Sequence, residues 1–373
     1  MCITRNNKMD SDALKATVGE AFAKQFGRQA QAIVTAPGRV NLLGEHTDYN
    51  GGFVLPMPLT LEICVAIGSG LKPGWAKLYS QNFDTSAEVD LAGDKADEWT
   101  DFILGCFKLS EQNPDLTAGY CIAVGSTLPM GAGISSSAAL EVATLRAIAA
   151  LAGVDPDPVA IAKTARKVEN EFIGMPCGIM DQFASSVGTR NMALFLDTQS
   201  LDYELAPLIP DHKIITLHSG VTHKLTDGSY EQRVKECNSA CEKLGIGLLR
   251  DVGVADLDRI NAIGGVEAKR ARHIVTDNQR VLDGVAALKA RDAQAFGRLM
   301  SESHVSQKDD YEITVEETDE LVDVAVQLGA LGARQTGGGF GGSIVALVKD
   351  QDVDRWCDAM TSRYPQTKVL AIT

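Results

Sequence analysis

One stretch limits the fold more than any other. From Gly131 to Ser137 the chain runs GAGISSS, small residues around one isoleucine; from Ala138 to Gly153 it runs AALEVATLRAIAALAG. The second half is made of strong helix formers and closes on a glycine stop. Upstream, Gly119–Ser126 (GYCIAVGS) has the pattern of an apolar strand, ending at Leu128, Pro129 and Met130. The order is strand, small-residue loop, helix. Small side chains let an anion come close to the backbone, and the unbonded N–H groups of a first helical turn point at it. One serine satisfies an N-cap; here Ser135, Ser136 and Ser137 stand together. A phosphate cradle over Gly131, Ala132, Gly133, Ile134, Ser135, Ser136 and Ser137 is therefore favoured over a plain cap.

The established phosphate motifs are absent: there is no GxxxxGK[ST], no HRD and no DFG. Gly337, Gly339 and Gly342 fit GxGxxG within ARQTGGGFGGSIVALV (333–348). A dinucleotide site needs that loop after a strand and before a helix. Here the pattern predicts a loop that follows a helix and precedes a strand, so that reading is rejected.

Composition excludes other classes. The 373 residues suggest two domains. Apolar residues make up 45% and charged residues 23%, ordinary for a soluble globular chain. Net charge is −14, which argues against the basic face that nucleic acid or an anionic membrane requires. The apolar stretch around Ala138–Val154 is cut by Glu141 and Arg146 and is not a membrane span. The start, MCITRNNKMDSDAL, has no apolar core and does not read as a secretory signal; Met9 is an alternative start. Eight cysteines, Cys2 among them, are scattered without a CxxC pair. Cys237 and Cys241, four apart, read as helix-face thiols rather than a metal half-site. Reduced thiols point to the cytoplasm.

Helical spacing of Leu14, Val18, Phe22 and Phe26 predicts a first helix over 10–28, followed by a short strand, Ala30–Thr35. The stretch APGRVNLLGEHTDYNGGFVLPMPL (36–59) mixes polar groups with Gly and Pro and reads as a shaped loop. Leu61–Ile67 is a strand, 76–93 strand material, and Trp99–Gln112 a helix. A helix over 156–173 precedes a turn opening another in 174–188. Met192–Leu196 and Lys213–Ser219 are strands; 230–300 is mostly helical; Glu316–Leu328 and Val353–Ser362 are helices, and Lys368–Thr373 a last strand. The change from strand to helix near 190–210 suggests domains of 1–200 and 201–373.

Three segments, PGRVNLLGEHTDYNGG, LPMGAGISSSAAL and TGGGFGGSIVALV, together resemble the GHMP small-molecule kinases. The first is similar to the galactokinase signature almost letter for letter. The likeness continues through CGIMDQF (177–183) and SHVSQKDDYE (303–312). It implies an α+β fold of two domains: a mixed sheet with helices on one side in the first, and antiparallel sheet plus helices in the second, whose last strand returns across the boundary. It implies transfer of the γ-phosphoryl of ATP, with magnesium (Mg2+), to the C1 hydroxyl of α-D-galactose, by a monomer or weak homodimer. By the resemblance, Arg39 and Asp181 are the catalytic pair. Glu45, His46, Asp48, Gly178, Asp181 and Tyr230 hold the sugar, Ser137 and Glu169 the metal. Phosphates lie along Gly131–Ser137, with Gly338–Gly341 closing nearby. A kinase for a related sugar such as N-acetylgalactosamine, or a non-catalytic galactose and ATP sensor, are the alternatives; sensors tend to lose small residues in the second motif, and GISSSAAL is intact.

The same residues can be weighed alone. A sugar presents hydroxyls that donate and accept, and Glu45, His46 and Asp48, beside Asn50 and Arg39, suit that need. Each singly would pass for a solvated or structural residue. Asp181 alone would be a helix N-cap, Glu169 an exposed helix carboxylate, and Tyr230 a packed aromatic. An arginine touching an aspartate weakens that carboxylate as a base, so contact between Arg39 and Asp181 would favour a late proton transfer. The chain departs from the family at TLEICVAIG, at Gln307-Lys308 and at Ser343.

Overall fold

The computed structural model describes residues 10–221 and 228–373; the expectations about the chain start, and Cys2, lie outside the described residues. Twelve strands are described: β1 (Ala32–Asn41), β2 (Phe53–Val54), β3 (Pro56–Ser69), β4 (Trp75–Ser80), β5 (Thr85–Asp90), β6 (Tyr120–Ser126), β7 (Met192–Asp197), β8 (Tyr203–Pro207), β9 (His212–His218), β10 (Gly332–Thr336), β11 (Ser343–Lys349) and β12 (Lys368–Ile372). The helices are α1 (Ser11–Phe26), α2 (Thr100–Leu109), α3 (Ser136–Leu151), α4 (Pro158–Lys167), α5 (Met180–Val187), α6 (Ser229–Leu244), α7 (Leu257–Ala262), α8 (Gly265–Ala290), α9 (Ala293–Ser306), α10 (Glu316–Gln327) and α11 (Val353–Arg363).

A five-stranded sheet has the order β1-β3-β6-β4-β5 and is antiparallel except between β4 and β6. Its interior strand β3 reads LEICVAIG over 61–68, apolar at nearly every position, because both faces are covered. Ile63, Val65 and Ile67 point into the main core with Leu140 and Ala143 of α3. Cys64 and Ala66 point the other way, under Leu14, Val18 and Phe22 of α1. The expectation of helices on one side alone is corrected by α1, whose apolar stripe needs a sheet face as much as the sheet needs a cover. A second sheet, β10-β11-β9-β12, is wholly antiparallel, and α10 and α11 pack against it. Three short strands, β2-β7-β8, form the third. Among the described residues no helix is long and apolar enough to cross a membrane.

Strand runs where the sequence predicts loop, over the ends of β1 and β3, all of β2, and β10. β1 continues through Pro37 to Asn41, paired with Pro56 in β3. The register shifts between Pro37 and Arg39, where the proline has no N–H to give the ladder. Pairing beyond the irregularity overrides the loop-like composition, and the true loop shortens to 42–52. β10 likewise replaces the loop expected after a helix. The segment GGGFGG therefore closes a hairpin between β10 and β11, still the wrong order for a dinucleotide fingerprint. Arg334, Gln335 and Thr336 are fully buried polar strand residues, which no alternation of hydrophobicity signals.

β10 lies backbone to backbone on α9. A Cβ on Gly332 would sit 1.8 Å from the carbonyl oxygen of Gly297. Both sides are main chain, so nothing can swing away. Gly332→Ala should lose about 1–3 kcal/mol of stability, read as a lower urea midpoint with an unchanged slope. Wild-type stability in that variant would disprove the close approach.

Candidate active site

The site begins at the β1 irregularity. Gly38 is so close to the small-residue loop that a Cβ there would lie 2.6 Å from Ile134 O, and the Arg39 amide donates to that same oxygen at 3.1 Å. The strand thus delivers Arg39 beside the start of α3. Its Nε and Nη2 donate to Asp181 Oδ1 and Oδ2 at 2.7 and 2.9 Å, and Nη1 donates to Gly133 O at 2.8 Å. This two-point pairing fixes both side chains. Asp181 stands in the first turn of α5 with 31% of its side chain exposed, so its carboxylate keeps an open face.

Ser135 occupies the N-cap position of α3 but makes no side-chain cap hydrogen bond. It sits at φ 60°, in the left-handed region, and its hydroxyl donates to Asp181 Oδ2 at 2.5 Å. The first amides of α3 are left without a side-chain cap, as an anion site requires. The structure thus joins the small-residue loop to Asp181 through a serine whose bare reading was a cap. Ser343, a departure from the family, donates from Oγ to Ala132 O at 2.7 Å and braces the same loop.

The 44–53 loop forms the adjoining wall. Glu45 is 2% exposed; its Oε2 accepts from Arg334 Nη2 at 2.7 Å and from the Gly337 amide at 3.2 Å. Burial pushes its carboxyl up to about 7 against the pull of Arg334 and Arg39. His46 adopts φ 60°, a conformation that costs a branched or ringed residue about 1–3 kcal/mol. Both its ring nitrogens have protein partners: Nδ1 meets Tyr49 Oη at 2.8 Å and Nε2 meets Gly338 O at 3.1 Å. Tyr230, at the start of α6, lies with its ring 5.0 Å from His46. Asp48 accepts from the amides of Tyr49 and Met180 at 3.0 and 3.4 Å, and burial with the nearby Asp181 charge pushes it up to about 6. Gly178 has no room for a side chain: a Cβ would lie 1.8 Å from Asp48 Oδ2.

Glu169 departs from the helix expected over 156–173. α4 ends at Lys167, and Val168–Ile173 is a wider π-type turn. The turn brings Glu169 inward to 5% exposure, against its bare reading as an exposed carboxylate. Its Oε2 accepts from Gln182 Nε2 at 2.6 Å and from Cys177 Sγ at 3.2 Å, and it pairs with the Ser137 hydroxyl. Glu141, on α3, is fully buried, with the Gln182 side chain beside its carboxyl. Burial and the Glu169 charge hold its carboxyl well above the usual range.

Sequence reasoning missed the support behind the sugar-type loop, which comes from one face of α8. Asp277 Oδ2 accepts from the Gly44 and Glu45 amides, both at 3.0 Å, and His273 Nε2 donates to Glu45 O at 3.0 Å. Asn278 Oδ1 accepts from the Phe53 amide at 2.9 Å. Burial alone would raise Asp277; His273, Arg280 and Arg334 overrule it and hold the carboxyl down to about 2. The only signal was polar residues recurring on one helix face, which is also what a solvated helix shows.

With the geometry in place, the comparisons with known proteins decide the family. Residues 20–69 match the galactokinase galactose-binding signature, 101–189 the N-terminal domain of GHMP kinases and 285–366 their C-terminal domain. A galactokinase of Thermotoga petrophila is 42% identical over 85% of this chain and 89% of its own. One of Haemophilus influenzae is 39% identical over 95% and 94%. The chain belongs to the galactokinase family. The crystal structure of Lactococcus lactis galactokinase complexed with galactose superposes with a TM-score of 0.89 at 31% identity, covering 96% of this chain and 97% of that one. A mevalonate kinase of Methanococcus jannaschii, at 19% identity and a TM-score of 0.67 over 91% of this chain and 97% of its own, shares the fold. The GHMP architecture is thus that of this chain, and the galactokinase signature covers β1, the 44–53 loop and β3.

The packing of Gly178 on Asp48 can be tested without substrate. Gly178→Ala should cost about 1–3 kcal/mol in urea unfolding. Because the three atoms nearest the methyl all belong to the Asp48 side chain, Asp48→Ala in the same chain should recover most of that loss. Purely additive losses would mean the two residues do not touch.

Proposed function

We propose that this chain transfers the γ-phosphoryl group of ATP to the C1 hydroxyl of α-D-galactose, giving galactose 1-phosphate and ADP. The observation that carries the reading is the Arg39–Asp181 pair, with an open carboxylate face, directly beside an uncapped helix N-terminus. Its acceptor oxygens face the sugar and its cation faces the transferring group. The galactose-bound relative and the galactokinase signature supply the sugar.

Phosphoryl transfer depends on positioning and on charge stabilisation. Asp181, fixed by Arg39 and Ser135, accepts the C1 hydroxyl proton and aims the oxygen. The same arginine weakens the carboxylate as a base, so the proton leaves late, as the bond to phosphorus forms. Arg39 stabilises the negative charge that develops between sugar oxygen and phosphate. Amides and hydroxyls over Gly131–Ser137 hold phosphate oxygens. Glu45, His46, Asp48, Gly178 and Tyr230 form the sugar wall. A wall that pairs each hydroxyl rejects an epimer by leaving buried groups unpaired.

Magnesium fits the donor set. Ser137 and Glu169 are adjacent oxygen donors, the serine hydroxyl hydrogen-bonded to the buried carboxylate. Among the described residues no three His, Cys, Asp or Glu side chains converge as a metal cage. That suits Mg2+, which usually takes one or two protein oxygens and completes its shell with phosphates and water. When bound, it would neutralise phosphate charge; Ser137 and Glu169 would hold it.

ATP consumption coupled to a colour readout, with galactose, glucose, N-acetylgalactosamine, arabinose and mevalonate offered in turn, tests the assignment. Galactose should be the best acceptor. Tight galactose binding without turnover would turn the reading into a sensor. Asp181→Asn should lower kcat by about 10²–10⁴ and change the galactose KM far less; near wild-type turnover in the folded variant would remove Asp181 from the mechanism.

A further inference from the structure

His46 is a strained residue held by a chain of hydrogen bonds whose direction can be worked out from one end. Gly338 O can only accept, so His46 Nε2, at 3.1 Å, carries the proton. The ring is 4% exposed, and burial lowers its pKa to about 3, so it is neutral and Nδ1 is bare. Tyr49 Oη, at 2.8 Å, must then donate to Nδ1. Its proton is thereby committed, and in the 2.6 Å contact between Tyr49 and Tyr311 the hydroxyl of Tyr311 must donate. By the same logic Cys237 Sγ–H donates to Tyr311 Oη across 3.2 Å. The sulfur itself accepts from Asn50 Nδ2 at 3.7 Å, and that amide also donates to His46 O at 2.9 Å. The chain of donors leaves the loop at Asn50, crosses α6 and the turn at Tyr311, and returns at His46. Tyr311 and Cys237 are fully buried, and no water is needed to complete the circuit.

We infer that Tyr49, Tyr311 and Cys237 are positioning residues that fix His46 in its Nε2–H tautomer, so that the sugar-side loop is latched through His46 to the Gly338 carbonyl of the β10–β11 hairpin. None of the three needs to touch substrate. Tyr49 supplies the one donor that keeps His46 Nδ1 satisfied; the other two orient Tyr49. The consequence for sugar affinity rests on the galactose reading above; the tautomer does not.

The test has two arms. In the first, 15N-labelled ligand-free enzyme is examined by long-range proton–nitrogen correlation at neutral pH, with His46→Gln to assign the ring. The expected result is a proton on Nε2 and none on Nδ1, and a displaced Nδ1 signal in Tyr49→Phe. A proton on Nδ1 overturns the proposal. In the second, Tyr49→Phe should raise the KM for galactose about tenfold with a smaller change in kcat. Tyr311→Phe should raise KM less, and nothing further when added to Tyr49→Phe. An unchanged KM in Tyr49→Phe, or fully additive effects, sinks the latch. If Tyr49→Phe does not fold, the wild-type tautomer and the Tyr311→Phe KM decide alone. If the wild-type enzyme prefers another sugar, KM is read for that sugar, so the latch and the galactose assignment can fail separately.

Discussion

The contact between Arg39 and Asp181 joins positions 142 residues apart, and most of the architecture can be understood as what that contact requires. Arg39 must leave a strand sideways, which the Pro37–Arg39 irregularity permits. Asp181 must sit at a helix start, which α5 supplies after the Gly178 contact with Asp48. The small-residue loop must pass between them, since Ser135 donates to the aspartate and Gly133 accepts from the arginine. An unpaired buried guanidinium or carboxylate would be costly. The paired arrangement offsets that cost and still leaves one carboxylate face open.

Charge around this pair is distributed unevenly, and the distribution is functional in kind. Glu45 and Asp48 are pushed up by burial, while Asp277, equally buried, is held down by its cationic neighbours. Asp277 grips backbone amides and gains from a full negative charge. Glu45 and Asp48, in the proposed sugar wall, instead sit close to the neutral form. Equally buried carboxylates therefore differ in charge state according to which charges surround them.

Much of this was legible in the residues, but unevenly. The order strand, small loop, helix around Gly131–Ser137 was readable because composition changes so sharply there. That Arg39 and Asp181 meet was readable only through the family motifs, because nothing local reports a contact across that separation. The inward turn of Glu169 was not readable, since helical periodicity assumes 3.6 residues per turn and the π-type segment breaks it. β1 beyond Pro37 and the polar β10 were hidden because pairing with distant strands overrode local preference. His273, Asp277 and Asn278 lie in a stretch that reads only as mostly helical; packing against the 44–53 loop gives them their role.

The β10–β11 hairpin explains why both sides of the site must move together. Gly337, at φ 90°, comes so near the small-residue loop that a Cβ would lie 2.5 Å from Gly133 O, while its amide donates to Glu45. The next residue, Gly338, accepts from His46. Thr336 exchanges hydrogen bonds with the Asn41 main chain at the end of β1. Within three residues the hairpin touches the loop that suits phosphate, the loop that suits a sugar, and the strand that carries Arg39. A shift of the hairpin against one loop must disturb the other, because each contact is a directed hydrogen bond or a backbone approach with no slack for a side chain. Glycine at 337 is thus demanded twice, by its positive φ and by the space beside Gly133. The small-residue loop and the 44–53 loop are in this way braced by one shared element rather than by two independent halves.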